Sequence, residues 1–171
     1  MGIEQITELL PVPEKTTESA VSDWYSISAA LQCEFPSDYK LFISTYGTGV
    51  IGGFLWILNP FSSNSNLNLE KALYFRHAYQ QMKEKFPTDY AREVDTFLPW
   101  GVTDNGDSLV WLIEGENPNI WQVAIFSSDQ ANEEKSGLTM SDFLVALLEK
   151  KVRSSILPLQ FLEAEKLFVP L

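Results

Sequence analysis

A proline and a glycine set the limits of one short helix in the first third of the chain. Pro36 disfavours helix in the residues before it, Ser37 can accept a hydrogen bond from an unpaired amide, and Gly47 can adopt the left-handed conformation that closes a helix. Between them, apolar residues recur at i, i+3, i+4 and i+7: Tyr39, Phe42, Ile43 and Tyr46. This spacing predicts a helix over 37–46 with one apolar face. Such a short helix needs tertiary packing, so we expect it to be docked between larger elements.

Helical periodicity recurs in three other segments. The first spans about 17–32, where apolar residues follow the capping candidate Thr17 at helical spacing. The second spans about 69–85, and the third begins at Thr139, where the sequence Thr-Met-Ser-Asp fits a capping box. The spacing therefore predicts one helix before 37–46, a long helix in the middle of the chain, and one near its end.

The hydrophobic period changes from helical to alternating in the second half of the chain. Apolar residues alternate over 97–102, and Asn105-Gly106 separates this run from the next one at 109–113. Asn-Gly between two such runs is a strong hairpin signal. A second turn at 114–119 leads to a third run at 120–126, which completes the pattern of an antiparallel meander.

An isolated apolar run at 54–58 predicts one more strand. It is bounded by Gly52-Gly53 and Asn59-Pro60, and its length fits a buried strand, although the sequence leaves its pairing open. Helices come first, a meander follows and a helix closes the core. The predicted class is therefore α+β, with an antiparallel sheet packed against several helices.

The length of 171 residues fits one domain, which we assign to 1–171. The expected core of this domain spans about 17–151. The tail at 152–171 is too apolar to be a free linker, so we expect it to pack back on that core.

Acidic residues are concentrated in one third of the chain. The net charge is −11, and residues 91–139 contain nine acids and two basic residues, a net charge of −7. Such a balance repels nucleic-acid phosphates and anionic membranes and attracts basic partners, although it also serves solubility alone. No apolar run approaches the ~20 residues of a membrane span, and the amino terminus lacks a basic, apolar leader. We therefore expect a cytoplasmic protein that contacts neither nucleic acid nor membranes directly.

Few residues fit catalytic or ligand-binding chemistry. Gly47, Gly49 and Gly52 spell G-x-G-x-x-G, but they follow a predicted helix and precede a predicted strand, the reverse of a dinucleotide site. We interpret them as turn glycines. His77 is the only histidine, without a nucleophile elbow or metal-ligand spacing, and Cys33 is the only cysteine, for which we expect a buried, reduced thiol. We therefore predict no catalytic residue, no cofactor and no metal.

Four acids flank the two turns of the predicted meander. Asp104 and Asp107 lie at the first turn, and Glu114 and Glu116 lie at the second, which we expect at the opposite end of the sheet. These acids fit solvated turns, contacts with a basic partner, or a carboxylate pair or calcium site, although they do not match an EF-hand loop. We assign them to a partner-binding surface, together with Trp100, a tryptophan that would anchor an interface if it were exposed.

The segment Phe35–Phe42, Phe-Pro-Ser-Asp-Tyr-Lys-Leu-Phe, followed by Tyr46-Gly47, resembles the hallmark of the SUKH superfamily, whose members carry SMI/KNR-like domains. Further stretches resemble that family in the same order: Ile57–Pro60, Leu98–Gly101, Asn105–Asp107 and Thr139–Leu148. Phe35 stands where the family usually has leucine, and the tail after Leu157 extends beyond the shared core. The resemblance covers about 17–151 and implies a SUKH-like fold.

The resemblance also implies a function. Bacterial members of the family are largely immunity proteins that bind and neutralise a cognate secreted toxin, often a nuclease, while other members act as interaction scaffolds. We therefore expect a non-enzymatic immunity protein whose acidic surface binds a basic toxin domain. An intracellular scaffold or regulatory module without a toxin partner is the alternative. The oligomeric state stays open between a monomer and a weak dimer.

Overall fold

The computed structural model describes residues 2–20 and 23–171, apart from the side chain of Leu69. Within these residues, seven strands form one antiparallel sheet: β1 (Gly49–Ile51), β2 (Leu55–Ile57), β3 (Phe97–Thr103), β4 (Ser108–Leu112), β5 (Gln122–Phe126), β6 (Glu133–Lys135) and β7 (Phe168–Pro170). The helices are α1 (Ile3–Leu9), α2 (Trp24–Leu31), α3 (Ser37–Tyr46), α4 (Leu69–Lys85), α5 (Met140–Leu148) and α6 (Leu159–Glu163), with short 3₁₀ helices at Val94–Thr96 and Pro118–Ile120. The predicted α+β class, an antiparallel sheet packed against several helices, is confirmed.

The strands lie in the order β6-β5-β4-β3-β2-β1-β7, and each neighbouring pair is antiparallel. β3, β4 and β5 form the predicted meander. β2, whose pairing the sequence leaves open, lies between β1 and β3. Both edge strands are three residues long: β6 has the sequence Glu-Glu-Lys, and β7 ends at Pro170.

Three helices cover one face of the sheet. α1, α3 and α5 pack against one another and bury their apolar sides on the central strands. On β3, β4 and β5, the residues of this core are Leu98, Trp100, Leu109, Trp111, Val123 and Ile125. Two tyrosines anchor α3 in it, since Tyr39 Oη donates to the carbonyl of Leu58 and Tyr46 Oη to that of Leu10 (2.5 Å). The short helix is therefore docked as its length requires.

The long helix α4 covers part of the opposite face. The ring centroid of Tyr79 lies 5.1 Å from that of Phe97 and 6.1 Å from that of Phe126. These residues belong to a second, smaller apolar cluster: Tyr79, Tyr90, Phe97, Val110, Leu112, Ala124 and Phe126. Since β4 is buried along its whole length, the central strands need cover on both faces, and α4 supplies the second.

The helix predicted from Pro36 and Gly47 spans the predicted residues. Pro36 is its N-cap, whereas the sequence pattern suggests Ser37 in that role. Ser37 is instead the first helical residue, and its amide and its hydroxyl both donate to Asn119 Oδ1, at 2.8 and 2.7 Å. The start of α3 is thus fixed by the turn before β5 rather than by its own side chain.

The carboxylate of Asp38 links the starts of two helices. Its Oδ1 accepts a hydrogen bond from the amide of Tyr39 (2.8 Å), and its Oδ2 accepts one from the amide of Ser141 in α5 (2.9 Å). Thr139 is the N-cap of α5, but its side chain makes no capping hydrogen bond. The capping box predicted at Thr139 is therefore wrong in its contacts, because a residue 103 positions earlier in the chain supplies the acceptor.

The helix predicted over 17–32 is shorter than expected. α2 begins at Trp24, after Asp23, whose side chain accepts a hydrogen bond from the amide of Ser26 (3.0 Å) and so caps the helix. Val21, one of the apolar positions of that predicted helix, lies outside the described residues.

Thr17 and Glu18 are held by other parts of the molecule instead of starting a helix. Thr17 forms an isolated parallel bridge with Gly47. Glu18 has a φ of +57°, and its carboxylate accepts hydrogen bonds from Thr48 Oγ1 (2.6 Å) and the amide of Ser63 (2.9 Å). Burial alone would raise the pKa of Glu18, but the hydrogen bonds from Ser63 and Thr48 lower it to about 2. These contacts require a non-helical backbone, which is why the helix starts later.

The sequence patterns miss α1, β1 and β6 and, in the tail, α6 and β7. α1 has only seven residues, although Ile6 within it and Leu10 after it are buried in the main core. β1 lies within the glycine-rich turn, and β6 consists of charged residues. Each is too short or too polar to show a period.

The tail continues the sheet and the core. Phe161 of α6 and Phe168 of β7 are buried in the main cluster. Lys166 between them is also buried, and its Nζ donates to the carbonyls of Leu162 (3.3 Å) and Ala164 (2.9 Å). Burial lowers the pKa of Lys166, and the carbonyls at the end of α6 stabilise its charged form.

Gly47→Ala should destabilise the protein far more than Gly53→Ala. Both glycines have positive φ values, +69° and +62°. A Cβ on Gly47 would lie 2.0 Å from the carbonyl oxygen of Thr17, whereas a Cβ on Gly53 meets nothing within 4 Å. We expect Gly53→Ala to lower the free energy of unfolding by about 1 kcal/mol and Gly47→Ala by about 3 kcal/mol or more, measured by urea denaturation. Equal losses would show that the contact with Thr17 is unimportant.

Candidate partner-binding surface

Asp104 lies at the exposed tip of the β3–β4 hairpin, and neighbouring groups hold it in place. Its amide donates to the carbonyl of Phe54 (3.1 Å), and its Oδ1 accepts a hydrogen bond from Trp56 Nε1 (2.8 Å). Within the described part of the chain, no other hydrogen bond and no ion pair reaches this carboxylate. Asp104 therefore presents a fixed, unneutralised oxygen to a partner.

Asp107, three residues further along the hairpin, is buried and only 5% exposed. Its Oδ2 accepts a hydrogen bond from Thr103 Oγ1 (3.0 Å), and its Oδ1 accepts one from the amide of Ser128 (3.0 Å). The carboxylate thus joins the β3–β4 turn to the turn after β5. We remove Asp107 from the predicted partner surface, because both of its oxygens are used inside the fold.

Glu114 and Glu116 are exposed at the opposite end of the sheet, as their position in the meander predicts. β4 runs from Ser108 at the first turn to Leu112 before the second. At ~3.4 Å per residue, this strand alone separates the two turns by roughly 14 Å. The four predicted acids therefore do not form one carboxylate site.

Two more exposed acids, Glu93 and Asp95, precede β3 at the same end as the second turn. The amide of Ile113 donates to the carbonyl of Thr96 (2.8 Å), which brings the two segments together. Among these acids, Glu93 forms an ion pair with Lys83. We call this surface the acidic end: Glu93, Asp95, Glu114 and Glu116.

Trp100 lies in the core and not on the surface. It is 0% exposed, and its ring centroid lies 6.1 Å from that of Trp111 and 6.4 Å from that of Phe143. No part of it can reach a partner in this fold, so we remove it from the predicted surface. The tryptophan that reaches the surface beside the predicted acids is Trp56, which is partly exposed and bonded to Asp104.

A groove of about 440 Å³ opens beside Asp104, on the same face of the sheet as α4. Trp56 and Val102 contribute the sheet surface, Leu67, Lys71 and Phe75 the α4 side, Asp104 the hairpin side, and Leu171 the far end. The sequence does not distinguish Trp56 from the buried tryptophans, because the run 54–58 is apolar throughout and gives no alternation that separates its two faces. The groove is the concave part of the candidate surface.

Lys71 is the basic residue of the groove, and it is directed toward aromatic rings. Its Nζ lies 5.3 Å from the ring centre of Tyr74 and 5.2 Å from that of Phe75. Such cation–π contacts hold the ammonium group over the rings. The groove therefore combines an apolar lining with a lysine on one side and the open carboxylate of Asp104 on the other.

A larger cavity of about 850 Å³ lies between β6 and the tail, but several of its polar groups already have partners within the fold. Glu134 accepts hydrogen bonds from Ser154 Oγ (2.5 Å) and from the amide of Ser155 (2.7 Å). Lys150 is paired with Glu165. Because these groups satisfy each other, this cavity offers a partner less than the groove does.

The side chains that could support catalysis stand apart. His77 is exposed on α4, with its Nε2 3.2 Å from Gln81 Nε2. Cys33 is a half-buried free thiol whose pKa is raised by burial. In the ranges 2–20 and 23–171, no group of three or more His, Cys, Asp or Glu side chains is placed to hold a metal ion.

None of the helices in the described part of the chain combines the length and the apolar character needed to cross a bilayer.

Comparison with family models places most of the chain in a known family. The sequence model of the SUKH_6 family, described as SMI1-KNR4 cell-wall, matches residues 22–144. Neither the curated proteins nor the solved structures contain a match.

Asp107→Ala should destabilise the protein more than Asp104→Ala. The first change leaves Thr103 and the amide of Ser128 without their buried acceptor, whereas the second removes one exposed hydrogen bond from Trp56. We expect Asp107→Ala to lower the free energy of unfolding by about 2 kcal/mol or more and Asp104→Ala by less than about 1 kcal/mol. Urea denaturation followed by circular dichroism measures both. A larger loss for Asp104→Ala would contradict the assignment of the two carboxylates.

Proposed function

The chain belongs to the SMI1-KNR4 family within the SUKH superfamily, and from that membership we propose that it is an immunity protein that binds and neutralises a cognate secreted toxin. It acts by binding alone and without catalysis. Its acidic surface covers the basic, substrate-binding face of the toxin domain. A nuclease is the first toxin class to test, because its active face must attract phosphates.

The observation that carries this proposal is the acidic end together with Asp104. Residues 91–139 have a net charge of −7, and one of their two basic residues, Arg92, is held by Glu133 through two hydrogen bonds of 2.6 Å. The exposed carboxylates around the meander are therefore largely unneutralised. A surface of one sign attracts an oppositely charged partner over long range and speeds its association.

Covering a toxin in this way needs only complementary charge and shape. A nuclease that binds a phosphate backbone presents lysine and arginine side chains at its active face. Exposed carboxylates compete for the same groups, so a bound acidic protein excludes the substrate. This explains how a surface without catalytic residues can abolish an enzyme's activity.

The groove is also compatible with the alternative function, an intracellular scaffold or regulatory module. Its apolar lining would serve any protein partner, whether or not that partner is a toxin. Gene neighbourhood separates the two functions, since an immunity protein is expected beside the gene for its toxin.

Co-expression with the protein encoded by the neighbouring reading frame tests the proposal. We expect that frame to be toxic alone, and we expect the present protein to restore growth and to form a stable complex with its toxin domain. An unrelated protein of similar size and net charge is the control, because it separates specific neutralisation from bulk negative charge. If the protein neither binds nor protects, the proposed function is wrong.

Reversing two charges at the acidic end should slow association with the toxin domain. We expect the pair Glu114→Lys and Glu116→Lys to reduce the association rate about tenfold at low salt, and to leave a smaller difference at high salt, as stopped-flow fluorescence would show. The matched control is Glu8→Lys with Glu14→Lys, two exposed acids outside residues 91–139. An equal loss of rate in both pairs would mean that only total charge matters.

A further inference from the structure

One half of the sheet has an open face on the side of α4. α4 covers this face over β3, β4 and β5, through Tyr79 and its neighbours. Toward the other edge, the register aligns Val169 with Val50, Val50 with Trp56, and Trp56 with Val102. Residues paired directly across an antiparallel sheet project on the same face. These four apolar side chains therefore form one row across β7, β1, β2 and β3.

The row is partly open to solvent and leads into the groove. Val50 is buried (6% exposed), whereas Val169 and Leu171 are each 53% exposed, and Trp56 and Val102 are partly exposed. The groove volume of about 440 Å³ falls in the range of pockets that bind ligands or inserted side chains. A groove lined by an indole ring and aliphatic side chains suits a large apolar side chain.

Asp104 adds a charge requirement at the rim of the groove. The indole of Trp56 fixes one carboxylate oxygen at 2.8 Å, and the second has no partner among the residues that the structure describes. Lys71, across the groove, is directed over the rings of Tyr74 and Phe75 and is absent from the ion pairs of the described chain. The carboxylate is therefore placed to receive a cation from outside.

We propose that the groove binds a segment of the partner protein that carries a large apolar side chain next to a lysine or arginine. The apolar side chain lies on Trp56 and Val102, and the cation binds Asp104. This inference rests on the proposed function only in taking the partner to be a basic protein.

Charge argues against a second copy of the chain as the occupant. A symmetric pairing on this face would bring the same surface of both copies together, with Asp104 at each rim and a net charge of −11 on each chain. Like charges placed opposite one another oppose association. A basic segment has the complementary charge.

Selection from a random 12-residue peptide library displayed on phage, with the full chain as bait, tests the groove directly. We expect enriched peptides to combine Phe, Leu or Trp with a neighbouring Lys or Arg. Their affinity should fall about tenfold for Asp104→Asn and for Leu171→Arg. Matched controls are Glu8→Gln, an exposed acid in α1 outside both the groove and the acidic end, and Leu159→Arg, an exposed leucine outside the groove. Equal unfolding midpoints in urea show that all four variants are folded.

Two results would overturn the inference: no enrichment, or enriched peptides that bind Asp104→Asn and Leu171→Arg as tightly as the unchanged protein. Sedimentation velocity could give a third. If the protein is a dimer and Leu171→Arg dissociates it, a second copy of the chain is the occupant of the groove.

The rescue assay with the same variants separates this inference from the proposed function. If both groove variants still restore growth, the groove is not the toxin-binding site, and the proposed function stands. If the selected peptides are basic and apolar and need Asp104 for binding, but the protein gives no rescue, the proposed toxin partner is wrong and the groove remains a binding site.

Discussion

Burial of the central strands on both faces is the constraint on which the structure depends. β4 is buried at every position, so its two faces each need a separate apolar layer. α1, α3 and α5 supply one layer, and α4 supplies the other. Because α4 is a single helix on a seven-stranded sheet, its layer is narrower than the sheet beneath it. The open half, with Trp56 and Val102, follows directly from this difference in width.

Sequence patterns predicted those parts of the fold that local contacts decide. The bounds of α3 and α4 and the existence of the meander follow from spacing and turn residues. The start of α2 does not, because Glu18 is held by Thr48 and Ser63, which lie 30 and 45 residues away. Strands of three residues, such as β1 and β7, form only because a neighbouring strand pairs with them. They are too short for a hydrophobic period that would predict them from sequence.

The candidate site shows the same limit at the level of single side chains. Asp104 and Asp107 have the same chemistry and lie three residues apart, yet one is exposed and the other is bonded inside the fold. Their difference comes from the turn after β5, which places the amide of Ser128 beside Asp107. Trp100 lies on the same face of β3 as Leu98, which the helices cover, whereas Trp56 is paired with Val102 on the other face, where α4 leaves part of the sheet open. The sequence predicts that carboxylates and a tryptophan form the site, and tertiary contacts decide which carboxylate and which tryptophan are exposed to a partner.

The two edge strands have a consequence for how the protein behaves at high concentration. An unpaired strand edge can template the addition of another chain, which is the first step toward fibres. Here one edge consists of charged residues, with Glu133 also bound to Arg92, and the other ends at Pro170, which has no amide hydrogen to donate. Both edges are only three residues long. The sheet is therefore protected against growth by strand addition, and a partner must recognise its faces and ends instead of extending its hydrogen-bond ladder.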